Sequence, residues 1–247
     1  MVKLHAAALG IAFLLFSFSV NAQTPNAALF ERFLVPVSVA NAPGAYGSLW
    51  DTELWFRNNS TYPVVVDPLW ITHRRPTIGQ TEYLTVVPRP ASAPGQFLWL
   101  SRDGSDKAQF DLRLFNRSDP TGDYGTKIPV VREGQFLDSI DLINVPTSSD
   151  FRSALRIYAL DETLGAEGLV TVRIYSNLEH LLVSADLPLT DSPRYAAILS
   201  LADRFPEIRQ EARVRIRIEP RDAGAKLWAF VTVVSNSTQH VAVVTPE

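Results

Sequence analysis

Cysteine is absent from this 247-residue chain. No disulfide can staple the fold and no thiolate can serve as nucleophile or metal ligand, so burial of apolar side chains must carry stability. Histidine is scarce, with His73, His180 and His240 the only ones outside the N-terminal apolar stretch. None belongs to an H-E-x-x-H pair, which leaves zinc without a recognisable ligand set. No G-x-S-x-G elbow is present to mark a serine hydrolase. Charge of one sign is also lacking: 23 basic and 26 acidic residues give a formal net charge of −3. Such a balance offers no electrostatic reason to bind nucleic acid or a membrane surface. Beyond residue 22 no apolar run approaches the roughly 20 residues that span a bilayer.

The one long apolar run is at the start, MVKLHAAALGIAFLLFSFSVNAQ. Lys3 supplies a positive beginning, Ala6 to Val20 an apolar middle, and Val20-Asn21-Ala22 a small-residue cleavage site. This pattern predicts a secretory signal peptide over residues 1–22, cut between Ala22 and Gln23, and hence a secreted, periplasmic or extracellular protein. About 225 residues remain, room for two domains of roughly 100 each or one large sandwich.

Alternation with a period of two dominates the rest of the chain, the mark of half-buried strands. Trp50, Thr52, Leu54 and Phe56 alternate with Asp51, Glu53, Trp55 and Arg57. Phe110, Leu112 and Leu114 alternate with Asp111 and Arg113, and Val214, Ile216 and Ile218 with Arg213, Arg215 and Arg217. Leu155 and Ile157 flank Arg156, and Val172 and Ile174 flank Arg173. Turn residues punctuate these runs at Asn58-Asn59-Ser60-Thr61, Asp103-Gly104-Ser105-Asp106, Asp119-Pro120-Thr121-Gly122 and Asn236-Ser237-Thr238. Seventeen prolines oppose long helices. The expected fold class is all-β, with antiparallel sheets stacked as sandwiches. Residues 192–209 fit either a helix or a strand followed by a helical turn near Phe205-Pro206-Glu207, and the strand is the preferred reading.

Asn116–Thr126 reads NRSDPTGDYGT, polar and turn-rich as a domain junction is. It divides the chain into a first domain over 23–120 and a second over 125–247. Each opens alike, with Val35-Pro36-Val37 and Ile128-Pro129-Val130, as first strands at sheet edges. A longer likeness joins residues 48–68, SLWDTELWFRNNSTYPVVVDP, to residues 226–246, KLWAFVTVVSNSTQHVAVVTP. Aligned on Leu-Trp, Trp50 falls opposite Trp228 and Asn58 opposite Asn236. Both stretches predict a hairpin with a core tryptophan and an Asn-centred turn, one structural device used twice with no site implied. The N-x-S/T triplets at Asn58, Asn59, Asn116 and Asn236 are read as turns.

Gly44-Ala45-Tyr46-Gly47-Ser48-Leu49-Trp50-Asp51-Thr52-Glu53-Leu54, then Asn58, resembles a G-x-x-G-[ST]-x-W-x-T-[DE]-L segment of secreted bacterial proteins. The second half is similar to such proteins too, notably those of Acidobacteria. The resemblance lies in Ile128-Pro129-Val130-Val131-Arg132-Glu133, Leu155-Arg156-Ile157-Tyr158, Trp228-Ala229-Phe230-Val231, Thr238-Gln239-His240-Val241 and Thr245-Pro246. It covers most of the chain after the leader and implies exported, tandem Ig-like β-sandwich modules. The family has no assigned activity, so the resemblance transfers no catalytic residues.

The candidate chemistry is therefore that of binding. Asp51 and Glu53 share a strand face, but beside Arg57 they suit cross-strand pairing better than glycoside hydrolysis. The aspartates of 103–106, and Asp119 with Asp123, lack the spacing of a calcium loop. Trp55, Tyr158 and Tyr175 occupy polar strand faces, where an aromatic can stack on a sugar or anchor a protein partner. The alternative is that these faces meet the other domain or cover neighbouring side chains. Arg156, Arg173, Arg213, Arg215 and Arg217 point away from the expected core. If their strands are neighbours they could bind an anionic glycan by bidentate contacts, and pairing with acids such as Glu211 and Glu219 would defeat that. The sequence thus leads to a non-catalytic binding or structural protein without catalytic, metal or cofactor residues, its ligand a protein or an envelope polysaccharide. A periplasmic chaperone that works by strand addition is the alternative, ahead of a hydrolase.

Overall fold

A computed structural model of the chain describes residues 28–61, 63–67, 77–78, 83–86, 95–119, 124–160, 168–190 and 194–246. The expected leader, His73, Asp123 and the turn residues 120–122 lie outside these. The described residues are all-β, as the alternation requires, and every strand pairing among them is antiparallel. No helix among them is long and apolar enough to cross a membrane.

The first half supplies β1 (Phe30–Val35), β2 (Ala42–Pro43), β3 (Leu49–Asn58), β4 (Val64–Asp67), β5 (Thr77–Ile78), β6 (Tyr83–Val86), β7 (Gln96–Ser101) and β8 (Ala108–Asn116). The two short strands β9 (Thr126–Ile128) and β10 (Val131–Arg132) come next. One sheet runs β10-β1-β7-β4-β5; the other runs β2-β3-β8-β9, with β6 also on β3. Between them sit Phe33, Val35, Leu54, Phe56, Leu98, Leu100, Leu112 and Ile128, all buried. The second half comprises β11 (Ile140–Pro146), β12 (Phe151–Ala159), β13 (Leu169–Ser176), β14 (Leu181–Pro188), β15 (Tyr195–Ile198), β16 (Arg213–Pro220), β17 (Leu227–Ser235) and β18 (Val241–Val244). Its sheets are β11-β16-β13-β14 and β15-β12-β17-β18. They enclose Leu142, Leu155, Ile157, Val172, Ile174, Ile216, Ile218 and Val231. The described residues of 192–209 hold the strand β15, then a helical turn at Leu201–Arg204 capped by Ser200, then the start of a 3-10 turn at Pro206–Gln210.

The two proline-bearing openings do not begin separate sheets. They meet: Phe33 pairs with Arg132 and Leu34 with Val131, and β9 pairs with β8. Ion pairs tie the same seam, Arg32 to Glu133 at 2.9 Å and Arg132 to Glu31 at 3.1 Å.

The pair of matching stretches also resolves differently from expectation. Residues 227–244 do form a hairpin, with β17 paired to β18. Residues 49–67 instead cross from one sheet to the other, since β3 pairs with β8 while β4 pairs with β7. The turn chemistry explains the difference. Asn58 is fully buried, and its Oδ1 accepts from the Ser60 N–H at 2.9 Å. That buried corner aims Phe56 and Val64 into one core from opposite sheets. Gly104 makes room for it: its φ is 97°, and a Cβ there would lie 2.7 Å from Ser60 Oγ. Asn236 is only half-buried and ties its turn to the neighbouring one, donating from Nδ2 to the Ser149 carbonyl at 2.6 Å. Trp50, expected in the core, is only half-buried at the sheet end.

Trp228 is buried, but not in the second-half core. Along β17, Leu227, Ala229, Val231 and Val233 enter that core, whereas Trp228 and Phe230 join the first-half cluster. On β12, Leu155, Ile157 and Ala159 face one cluster and Tyr158 the other. This sheet is covered on both sides, and the two cores are separated only by its backbone.

Candidate functional site

Two outward sheet faces carry the residues singled out from the sequence. The first lies on β13 and β16, which are neighbours. Arg173 pairs in register with Arg217, Tyr175 with Arg215, and Thr171 with Glu219. Like charges directly opposite repel, and carboxylates relieve them here. Glu219 accepts from Arg217 Nε at 2.8 Å and also bonds Arg173. Asp141 accepts from Arg217 at 3.3 Å, and Glu179 takes Arg215 at 2.8 Å. Arg213 donates to Asn144 Oδ1 at 2.7 Å. The Arg215 guanidinium lies 4.8 Å over the Tyr175 ring, covering it.

This pairing corrects the anion-site expectation. Arg173, Arg215 and Arg217 share three carboxylates, so the face is close to neutral and its guanidinium forks are already engaged. An incoming anion would have to displace them. Arg156 and Tyr158 are not on this surface at all. Both are on β12, on its side toward the first half. The Arg156 guanidinium is 5.7 Å over Phe230, and Tyr158 is fully buried with its hydroxyl donating to the Pro36 carbonyl. Burial pushes the Tyr158 phenol above its ordinary range.

The network has an acid-sensitive member. The hydrogen bond from Arg217 is the largest cause holding Glu219 below the ordinary carboxylate range; partial burial opposes it and Arg173 adds to it. A carboxylate with a lowered folded-state value stabilises the fold above its unfolded value, about 4.5, and loses that contribution as pH falls through the folded value. We expect Glu219→Gln to destabilise modestly at neutral pH, by less than about 1 kcal/mol for so exposed a pair. The difference from wild type should vanish in strong acid. Urea midpoints measured across the acid range check this; a gap that persists at the lowest pH contradicts it.

The second face belongs to β3, β8 and β9. Trp55 lies opposite Asp111, Arg57 opposite Gln109, and Glu53 opposite Arg113, with Lys127 beyond. Trp55 is 42% exposed although its neighbours Leu54 and Phe56 are buried. Beside it opens a hollow of about 570 Å³ lined by Trp55, Arg57, Gln109, Phe110, Asp111 and Lys127. Arg113 holds Asp111 at 3.0 Å and lies 5.6 Å over Tyr124, an 83% exposed ring on the same face. Sequence reasoning found Trp55 by its place on a polar strand face but missed Tyr124, whose ring reaches this face only through Arg113.

His180 and His240 lie in turns, each backbone carbonyl accepting from a serine N–H, Ser176 and Ser235 respectively. Asp51 bonds the Asn41 N–H and lies 3.6 Å from Arg117, while Glu53 faces Arg113 in register. Asp51 thus pairs with a neighbouring segment, as expected of it. Among the described residues no group of three or more His, Cys, Asp or Glu is placed to hold a metal ion. Comparison of the chain with family models, with curated proteins and with solved structures finds no match.

Proposed function

We propose that the chain is an exported, non-catalytic binding protein of the periplasm or cell exterior, built from two Ig-like sandwich modules. Its ligand, a protein or an envelope glycan, is taken on the outward face of β3, β8 and β9. The observation that carries this reading is Trp55, a large aromatic left open on a polar sheet face beside a hollow. Exposed aromatics with polar surroundings are what interfaces use as anchors. The arginine face of β13 and β16 is engaged with its own carboxylates. A strand-addition chaperone would need an open basic cleft between modules, and Tyr158, Trp228 and Phe230 fill that position with apolar packing.

Sedimentation of the purified protein with isolated cell envelopes tests the reading. Trp55→Ala should weaken binding by about tenfold or more, as loss of an anchor does. Arg217→Ala should change it little. The opposite ranking would move the site to the β13–β16 face and overturn the assignment. Recovery of the processed chain from the periplasm or medium, beginning at Gln23, checks the export.

A further inference from the structure

We propose that the hollow beside Trp55 is a sugar-ring subsite for an uncharged polysaccharide; this rests on the binding role just given to that face. A pyranose presents two chemistries, an apolar face of C–H groups and a rim of hydroxyls. An indole is a flat apolar platform for the first. Hydroxyls donate and accept at once, and so suit carboxylate, amide and guanidinium partners together. The hollow supplies this combination: the Trp55 ring, the Gln109 amide, the Asp111 carboxylate, and the cationic Arg57 and Lys127. Its volume, about 570 Å³, is within the range of small-ligand sites.

The carboxylate of the hollow is already paired. Asp111 is held by Arg113 at 3.0 Å and faces Lys127 at 3.8 Å, so both signs line one small space. A neutral hydroxyl meets a complementary group on every side. Tyr124 extends the same face beyond Arg113, in position for a later ring of a chain rather than a single sugar.

The test is retention of the purified protein on a neutral glucan and a neutral galactomannan, with hyaluronate and chitosan as anionic and cationic comparisons. Wild type should bind a neutral polysaccharide, with little change as salt rises. Trp55→Ala should lose about tenfold or more in affinity, while Trp55→Phe should retain most of it. Gln109→Ala should weaken binding without altering the melting curve. Binding confined to hyaluronate and abolished by salt overturns the proposal, as does undiminished binding by Trp55→Ala. A photo-crosslinker at position 109, used in intact envelopes, separates the two readings. A protein adduct without neutral-glycan binding overturns the sugar subsite and leaves the face as a protein-binding surface. Neither adduct nor glycan binding overturns both.

Discussion

Tyr158→Ala should lower the unfolding free energy by about 3–5 kcal/mol, the usual cost of truncating a fully buried aromatic. For a chain of this size that is a fall of roughly 10 °C or more in melting temperature. The ring is packed 5.2 Å from Tyr195 and 6.2 Å from Trp228, and stacks at 6.5 Å on Phe230. Its removal opens a void at the meeting of the two halves, where neither sheet pair can close up alone. Tyr158→Phe separates packing from polarity. It keeps the ring but takes away the hydroxyl bond to the Pro36 carbonyl, and should cost about 1–3 kcal/mol. Alkaline pH gives a second readout. Burial raises the phenol above its ordinary value of 10.0, so its stabilising contribution is complete below that value and is lost as pH rises toward the folded one. The phenylalanine variant should show a shallower alkaline loss than wild type. Equal slopes would mean that the hydroxyl is not a buried proton donor.

Gly95→Ala should be nearly as damaging, at about 2–4 kcal/mol. Two causes combine. The backbone at Gly95 has a φ of 126°, closed to ordinary L-residues. A methyl there would also meet Tyr158 Cε1 at 2.7 Å and the Pro36 carbonyl oxygen at 3.1 Å. The first cause is local and the second depends on the tyrosine. Chemical denaturation of the double variant tells them apart. Adding Gly95→Ala to Tyr158→Ala should cost less than adding it to wild type, because the ring it strikes is gone. Strict additivity would show that backbone strain alone sets the cost.

These two sites mark the limit of what period-two alternation could reveal. Where one strand face meets water the pattern was plain. Val214, Ile216 and Ile218 are buried as they alternate with arginines, and Val172 and Ile174 obey the same rule. Alternation assigns a second face to solvent by default, and this misplaced Tyr158 and Arg156. Their own stretch, LRIYA, alternates well enough to hide the cover on its other side. The partner strand carried the missing signal. LWAFVTVV does not alternate at all, and a near-continuous apolar run is what burial on both faces produces. The likeness between 48–68 and 226–246 failed for a related reason. Leu-Trp and Asn fixed strand and turn, but a single buried amide at Asn58 decided that one turn crosses between sheets.

The candidate site was legible in part. Trp55 stood out because an indole on an otherwise charged face has no local reason to be there. The arginines stood out equally, and their carboxylate partners were only partly visible. Glu219 is two residues from Arg217 in sequence, but Asp141 and Glu179 reach the same face from β11 and from the turn after β13. Pairing of strands, not spacing along the chain, brings them together.

The sheet covered on both sides has a consequence for how such a chain can change over generations. It acts as a party wall: each half leans on it, and neither owns it. A cut at the polar stretch before Thr126 would strip β9 and β10 from the sheets they complete, and would leave Trp228, Phe230 and Tyr158 facing water. The halves therefore cannot be shuffled into other proteins like beads from a string. They must be inherited and degraded together, and variation is freest on the outer faces, where Trp55 stands.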